Sequence, residues 1–206
     1  MIEDSTVFIV DDDHFVRDSL KFLIEAKGYR VECFEQARQM LDRAKQPLAG
    51  CLVADIRLGG MSGLDMHDRL RAMGVSLPTI VITGHGDVSA AVRAFKAGAL
   101  DFLEKPFSDK VLVERIGKAL TLDRQRREAE AGREYIVSRY EKLTPRERQV
   151  MAKVVEGRLN KQIAADLGLS HKTIEVHRAH VMDKMGAKSL AELVRMAVVL
   201  EPVDAA

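Results

Sequence analysis

The sequence predicts a doubly wound α/β domain with a five-stranded parallel sheet, followed by a smaller all-α domain of four helices. Residues 1–121 alternate five times between a short apolar run and an amphipathic stretch, which is typical of a parallel sheet covered by helices on both faces. Residues 143–206 contain amphipathic patterns bounded by helix-capping residues. A length of 206 residues is sufficient for two domains of these sizes.

The strands of the first domain are predicted from apolar, β-branched runs at 6–10, 30–34, 52–55, 79–83 and 100–103. The helices between them are predicted around 16–24 and at 35–45, 64–73 and 87–97, with a fifth that starts at Ser108. The run from Cys51 to Ala54 is apolar throughout and is followed by Asp55, which predicts a buried strand that ends in a carboxylate. Ligands of open parallel sheets bind beyond the carboxyl ends of the strands, so Asp55 is a candidate for chemistry.

The all-α domain is predicted from four helices with distinct start signals. Thr144-Pro145-Arg146-Glu147 has the residues of a capping box, and the first helix should run from there to Gly157. Asn160 should cap a short second helix, Ser170 should cap a third that reaches about Met185, and 189–200 should form the fourth. A short helix, a tight turn and a longer helix predict a helix-turn-helix.

Residues 122–142 are predicted to form a helical linker, because they are rich in charge and contain one glycine and no proline. Two interpretations of this segment stay open. It is either a solvated helix without a partner or a coiled contact across a dimer.

The charge is distributed unevenly along the chain. Residues 144–200 hold ten Lys and Arg against six Asp and Glu, a net charge of +4, which leaves −3 for the other residues. This asymmetry predicts a regulator attached to a module that binds a polyanion. No apolar run is long enough to span a membrane and no leader is visible, so we expect a cytoplasmic protein without a membrane partner. Cys33 and Cys51 are expected to be small buried hydrophobic residues rather than a disulfide or a zinc site.

Polar residues follow four of the predicted strands. In a sheet of order 2-1-3-4-5 these strand ends lie side by side, and the residues brought together are Asp11, Asp12, Asp55, Thr83 and Lys105. Three neighbouring carboxylates repel one another, and all-oxygen ligands favour magnesium or manganese over zinc. A lysine and a hydroxyl suit a bound phosphoryl group, and an aspartate can accept such a group as a nucleophile.

The motifs that carry a family resemblance are Asp11-Asp12, Asp55, Thr83-Gly84-His85-Gly86-Asp87, Lys96-Ala97-Gly98-Ala99 and Phe102-Leu103-Glu104-Lys105-Pro106-Phe107. They resemble the receiver domain of two-component response regulators, which has a flavodoxin-like fold. Residues 143–197 resemble the LuxR/NarL-type DNA-binding domain, and the combination is most similar to the FixJ subfamily. The resemblance divides the chain into a receiver (1–121), a linker (122–142) and a helix-turn-helix domain (143–206).

The resemblance also implies residue roles. Asp55 would take a phosphoryl group from a sensor histidine kinase, Asp12, Asp55 and the Arg57 carbonyl would bind magnesium, and Asp11 would help through water. Thr83 and Lys105 would hold the phosphoryl oxygens, and Phe102 would turn inward as they do. The implied partners are the kinase, double-stranded DNA and a second copy of the phosphorylated chain, with RNA polymerase as a further candidate.

One position departs from the family pattern. The family usually has proline four residues after the acceptor, and this chain has Gly59 there, followed by Gly60. We expect a looser loop beside the site, with an atypical phosphoryl lifetime or unphosphorylated conformation.

The third tail helix is the predicted DNA-reading element. Ile174, His177, Val181 and Met185 should face the core. The candidate DNA contacts are Lys161, Lys172, Thr173, Glu175, Val176, Arg178, Ala179 and Lys184. Val176 would touch a thymine methyl, Glu175 would accept from cytosine N4, and the cationic residues would serve phosphates. The apolar last helix either packs within the chain or pairs with its copy, which would fit two half-sites about 10 bp apart.

Three hypotheses follow for the function. The first is a transcription factor switched by phosphorylation, which is not an enzyme beyond slow autodephosphorylation. The second is a phosphatase with an aspartate nucleophile, but that class needs a second acid where this chain has Arg57. The third is a regulator independent of phosphorylation that uses its receiver as a dimer scaffold. Intact Asp11, Asp12, Thr83 and Lys105 argue against the third hypothesis, and Gly59 keeps it open.

Overall fold

The structure is a computed structural model that describes residues 5–84 and 88–200. The chain forms two compact units, Met1–Arg127 and Glu128–Ala206, which are described separately below. Among the described residues, no helix combines the length and the apolar character that a membrane span requires.

The first unit is built on a parallel sheet. Its strands are β1 (Thr6–Val10), β2 (Arg30–Phe34), β3 (Gly50–Asp55), β4 (Thr79–Thr83) and β5 (Asp101–Glu104). They pair in the order β2-β1-β3-β4-β5, and every pair is parallel. The helices that begin in this unit are α1 (His14–Glu25), α2 (Ala37–Arg43), α3 (Gly63–Ala72), α4 (Val88–Lys96) and α5 (Asp109–Glu141). The predicted fold class and strand order are confirmed.

Apolar layers cover both faces of the sheet. One layer packs Val7, Ile9 and Val53 against α1 and α5, through residues such as Ile24 and Ile116. The other layer packs alternate strand residues such as Phe8 and Leu52 against α2 and α3. All six residues of β3 are buried, so the strand predicted to be covered on both faces is confirmed.

The edge strand β2 overturns one expectation. Cys51 on β3 is buried, but Cys33 on β2 is exposed. The reason is position in the sheet, since β2 has a neighbouring strand on one side only. The expectation that both cysteines are small buried hydrophobic residues is therefore wrong for Cys33.

Several element boundaries differ from the predicted ones. Helix α2 is shorter at both ends than the predicted 35–45, and β5 is shifted by one residue from 100–103. The predicted start of α4 at Asp87, together with residues 85 and 86 of the Thr83 motif, lies outside the described residues. Helix α5 continues through the segment predicted to be a helical linker and ends at Glu141.

The second unit consists of helices. After the carboxyl-terminal part of α5 come α6 (Pro145–Val155), α7 (Asn160–Leu167), α8 (His171–Met185) and α9 (Leu190–Leu200). The capping box at α6 is present: Thr144 Oγ1 accepts from the Glu147 amide at 3.3 Å, and Glu147 Oε2 accepts from the Thr144 amide at 2.8 Å. Ser170 caps α8 through the Thr173 amide.

The start of α7 corrects a predicted cap. The N-cap residue is Leu159, and Asn160 is the first residue of the helix. The Leu159 amide is satisfied by the Gln162 side chain at 2.9 Å, so no side-chain cap from Asn160 is needed. The Asn160 side chain instead accepts a hydrogen bond from Arg178 of α8.

Candidate functional site

The acidic site is centred on Asp55, the last residue of β3. Asp55 is 7% exposed, and its Oδ1 accepts a hydrogen bond from the Arg57 amide at 3.0 Å. Gly63, the first residue of α3, packs against the Asp55 carbonyl so closely that a Cβ atom at position 63 would overlap that oxygen. The first residue of α3 is therefore packed tightly against the backbone of Asp55.

Lys105 joins the ends of two strands at this site. Its Nζ lies 2.8 Å from Asp11 Oδ2 and 2.8 Å from Asp55 Oδ2. The Lys105 amide donates to the Thr83 carbonyl at 2.7 Å, and Thr83 itself is buried. The structure thus brings together four of the five residues predicted for this site, which are Asp11, Asp55, Thr83 and Lys105.

Burial and ion pairing shift the pKa of Asp11 in opposite directions, and the same is true of Lys105. Burial raises the pKa of Asp11 above its ordinary value, and the hydrogen bond from Lys105 reverses only part of this effect. For Lys105, burial lowers the pKa, but the hydrogen bonds and charges of Asp11 and Asp55 outweigh burial and raise it. The ammonium therefore stays charged at neutral pH and balances one of the two carboxylates.

Asp12 is placed differently from the other two acids. Its side chain is exposed, and its Oδ2 is 4.0 Å from where a Cβ atom on Gly59 would lie. Among the described residues, no three Asp, Glu, His or Cys side chains are arranged to hold a metal ion together. The donor chemistry nevertheless fits a hard divalent cation, because Asp11 and Asp55 are buried oxygen donors that share a single ammonium.

Two residues support Asp11 and were not predicted: Asp13, in the loop between β1 and α1, and Arg17, in the first turn of α1. The Asp13 amide donates to Asp11 Oδ1 at 3.0 Å, and Asp13 also caps α1 by accepting from the Phe15 amide at 2.9 Å. Arg17 Nη1 donates to the Asp11 carbonyl at 2.6 Å. The capping role of Asp13 is visible in the sequence as the last acid before a helix, whereas no sequence signal distinguishes Arg17.

Phe102, the predicted switch residue, lies on β5 and is half-buried. It packs against an apolar cluster that contains Ile56, Val81 and Ala94. Those neighbours belong to the segment after Asp55, to β4 and to α4. The ring therefore packs between α4 and the strand ends that carry the acidic site.

The predicted reading helix α8 has a buried and an exposed face. Ile174, Val181 and Met185 are buried, as predicted, while His177 is half-buried. Val176 is 45% exposed. Thr173 is half-buried and Ala179 is exposed on the same helix.

Several of the predicted phosphate contacts have partners within the protein. Arg178 Nη1 donates to Asn160 Oδ1 at 2.8 Å, and Lys172 pairs with Glu175 at 3.2 Å. Lys184 Nζ donates to Glu147 Oε2 at 2.6 Å. The sequence predicts a DNA phosphate contact for Lys184 and gives no sign of this pairing with Glu147. Lys161, on α7, is exposed.

Glu147 is the buried carboxylate that pairs with Lys184 in the second unit. Its burial raises the pKa of the carboxyl, but hydrogen bonds from Lys184 and Thr144 outweigh burial and lower the pKa to about 2. Glu147 thus serves the capping box and the α8 ion pair with one ionised carboxylate.

Comparison with known proteins identifies both units. A model of the response regulator receiver domain matches residues 7–117, and a model of bacterial regulatory proteins of the luxR family matches residues 141–197. The transcriptional regulatory protein FixJ of Rhizobium meliloti is 47% identical over 196 residues, which cover 95% of this chain and 96% of FixJ. The chain belongs to the FixJ subfamily of response regulators.

Two further relatives match this response regulator along most of its length. Nodulation protein W of Bradyrhizobium diazoefficiens is 46% identical over 194 residues, which cover 94% of this chain and 86% of that protein. The structure of the response regulator StyR is similar with a TM-score of 0.86 at 41% identity, over 95% of this chain and 98% of the StyR chain. These relatives are named as regulators or by a biological process and not as enzymes, which fits the predicted non-enzymatic role.

The domain composition of this response regulator is consistent with phosphorylation-dependent regulation of transcription. Its receiver domain implies a kinase partner, and its LuxR-type domain implies DNA. Receiver domains of this kind bind magnesium at the phosphorylation site.

Proposed function

We propose that Asp55 accepts a phosphoryl group from a sensor histidine kinase, and that this modification dimerises the receiver and promotes DNA binding. The observation that supports this most strongly is the position of Lys105, whose ammonium is 2.8 Å from both Asp11 Oδ2 and Asp55 Oδ2. A half-buried cation beside a carboxylate at a strand end suits a group that will gain negative charge.

The proposed transfer uses Asp55 as the nucleophile. A carboxylate oxygen attacks the phosphorus of a phosphohistidine, the P–N bond breaks, and the bonding electron pair stays with the histidine of the kinase. The acyl phosphate carries about −1.5 to −2 of charge at neutral pH, where the Asp55 carboxylate carried −1, so the site gains up to about one negative charge. Lys105 would then hold one phosphoryl oxygen, and the Thr83 hydroxyl would donate to another.

We propose magnesium, or manganese, as the ion of this site. Asp12, Asp55 and the Arg57 carbonyl would hold it directly, and Asp11 would hold it through water. When bound, the ion neutralises carboxylate and phosphoryl charge that the ammonium of Lys105 alone does not balance.

The response to phosphorylation would pass through Thr83 and Phe102. Inward movement of both side chains would reshape the face formed by α4 and β5, where we propose that two receivers pair. Two paired chains would place two copies of α8 on two half-sites, with RNA polymerase as a further proposed partner. Phosphate can shift this equilibrium only through contacts that differ between the two states.

An exposed apolar surface beside the acceptor supports a protein as the phosphoryl donor. Phe15 on α1 is 74% exposed and lines a cavity of about 320 Å³ together with Leu23, Lys105 and Phe107. Phe15→Ser should slow phosphorylation by the kinase and leave phosphorylation by acetyl phosphate unchanged. Equal rates from the kinase for Phe15→Ser and the wild type would contradict this role.

The central test is phosphorylation with acetyl phosphate and magnesium, followed by analytical ultracentrifugation. The wild type should become phosphorylated and dimerise, Asp55→Asn should do neither, and Asp68→Asn on the exposed face of α3 should behave as the wild type. Unchanged association of both the wild type and Asp55→Asn would overturn the proposal.

Gly59 keeps a second function open, in which the receiver is a dimer scaffold that acts without phosphorylation. DNA affinity measured before and after phosphorylation at one fixed salt concentration separates the two functions. Equal affinities in the two states would favour the scaffold.

A further inference from the structure

Asp123 is a buried carboxylate far along the chain from the acidic site. It lies on α5 within the segment predicted to be a linker, and it is 0% exposed. Its Oδ2 accepts from the Gly50 amide at 2.9 Å and from Arg127 Nε at 2.8 Å, and its Oδ1 accepts from Arg126 Nη2 at 2.8 Å. Part of the predicted linker is therefore bonded into the receiver.

The partners of Asp123 connect α5 to the beginnings of two strands. Gly50 is the first residue of β3, and a Cβ atom there would overlap the carbonyl oxygen of Thr6 on β1. Arg127 also reaches the residue that precedes β1, because its Nη2 lies 3.4 Å from Ser5 Oγ. The same turn of α5 thus contacts the amino-terminal ends of β1 and β3, at the edge of the sheet opposite Asp55.

These contacts depend on the helix being intact up to Arg127. The two arginines follow Asp123 by three and four residues, a spacing that meets on one helix face only while the helix is formed. A buried carboxylate without these donors would be unfavourable, because its desolvation would not be compensated. The Asp123 contacts thus stabilise α5 beyond residue 121. The next residues of the helix, 128–135, are all exposed.

Strand β3 connects this cluster to the acceptor. It has Asp55 at its carboxyl end and the Gly50 amide at its amino end, and all of its residues are buried. We infer that Asp123 is a positioning residue that fixes α5 to the strand carrying the phosphoacceptor. Passage of the Asp55 signal to the chain beyond Arg127 depends on this attachment, an inference that rests on the proposed function.

The test compares the full-length wild type with Asp123→Asn. Asparagine keeps the shape of the side chain and its acceptor for Gly50, but it removes the charge that the two arginines share. Glu114→Gln is the matched control, since Glu114 is a solvent-exposed carboxylate of α5 paired with Lys118. Arg127→Gln removes a donor from the other side of the cluster and replaces Asp123→Asn if the latter does not fold.

Three measurements are made on each protein: phosphorylation of Asp55 by acetyl phosphate, amide hydrogen exchange, and DNA affinity before and after phosphorylation. In Asp123→Asn, phosphorylation should be unchanged, and exchange at residues 121–127 and Gly50 should be about tenfold faster. Phosphorylation should raise the DNA affinity of the wild type and of Glu114→Gln about fivefold or more. The DNA affinity of Asp123→Asn should be the same before and after phosphorylation.

The outcomes separate this inference from the proposed function. If the wild type itself gains no DNA affinity on phosphorylation, the proposed function fails, and the exchange rates alone decide whether Asp123 fixes α5. If the wild type responds and Asp123→Asn responds equally, the signalling role of Asp123 is overturned. Unchanged exchange at residues 121–127 would overturn the positioning role.

Discussion

Gly63 packs directly on the backbone carbonyl of Asp55, and a Cβ atom on Gly63 would overlap that oxygen. The Gly63 amide also donates to the Ile56 carbonyl at 2.9 Å. The start of α3 therefore fixes the main chain at and directly after Asp55, the proposed phosphoacceptor. Position 63 is a positioning element of the site, although it contributes no side chain to the chemistry.

Gly63→Ala should lower both stability and phosphorylation. Relief of the overlap requires movement of α3 or of the Asp55 backbone, at a cost of roughly 1–3 kcal/mol. Thermal unfolding and the rate of phosphorylation by acetyl phosphate measure the two effects. Gly117→Ala is the control, because its added Cβ would lie 3.7 Å from the Tyr29 hydroxyl, an ordinary contact. A wild-type phosphorylation rate in Gly63→Ala would contradict the positioning role.

The sheet and the membership of the acidic site could be predicted from the sequence because both follow from local patterns. Apolar runs predicted the strands, and the 2-1-3-4-5 order of a common doubly wound sheet brings Asp11, Asp55, Thr83 and Lys105 to one edge. The pairing of Lys105 with both acids could not be predicted, because it depends on side-chain conformations that residue spacing does not determine.

Contacts between residues distant in sequence account for most of what could not be predicted. Asp123 appeared as one member of a charged run, but its Gly50 partner is 73 positions away. Lys184 was predicted to contact a DNA phosphate, but Glu147, 37 positions away, accepts its hydrogen bond. Asp123 continues the buried face of α5, seven residues after Ile116, although its residue type and charged neighbours indicated an exposed position.

Gly59 and Gly60 should respond in opposite directions to substitution by alanine. Gly60 has a φ of 98°, which residues with a side chain disfavour. Gly59 does not have a positive φ, and the nearest neighbour of a Cβ atom added there would be Asp12 Oδ2 at 4.0 Å. Gly59→Ala should stabilise the protein by about 0.4–1 kcal/mol through the unfolded chain, and Gly60→Ala should destabilise it by more than about 1 kcal/mol. Urea unfolding measures both, and a destabilised Gly59→Ala would contradict this account.

Glu147 should make the stability of the second unit depend on pH. Its pKa is lowered from 4.5 to about 2 in the folded protein, so its contribution is present above the unfolded pKa and is lost as the pH falls through the folded pKa. Glu147→Gln should therefore be less stable than the wild type by on the order of 2–3 kcal/mol at pH 7, and the difference should shrink between pH 4.5 and 2.

Urea unfolding of the full chain at several pH values measures this difference. Glu156→Gln is the matched control, because Glu156 is a half-exposed carboxylate that pairs with Lys153. Its difference from the wild type should be small at every pH. A Glu147→Gln difference that does not change with pH would show that the carboxylate is not the stabilising form.

Lys161 and Lys184 should differ in how they affect DNA binding. Lys161 is exposed on α7, so Lys161→Ala should weaken binding to all sequences and reduce the slope of log affinity against log salt by about 1. Lys184 is engaged with buried Glu147, so Lys184→Gln should lower the free energy of unfolding and leave that slope unchanged. DNA affinity over a range of salt concentrations, together with urea unfolding, separates the two effects. A slope reduced by about 1 in Lys184→Gln would mean that the ammonium leaves Glu147 for a phosphate when the helix enters the groove.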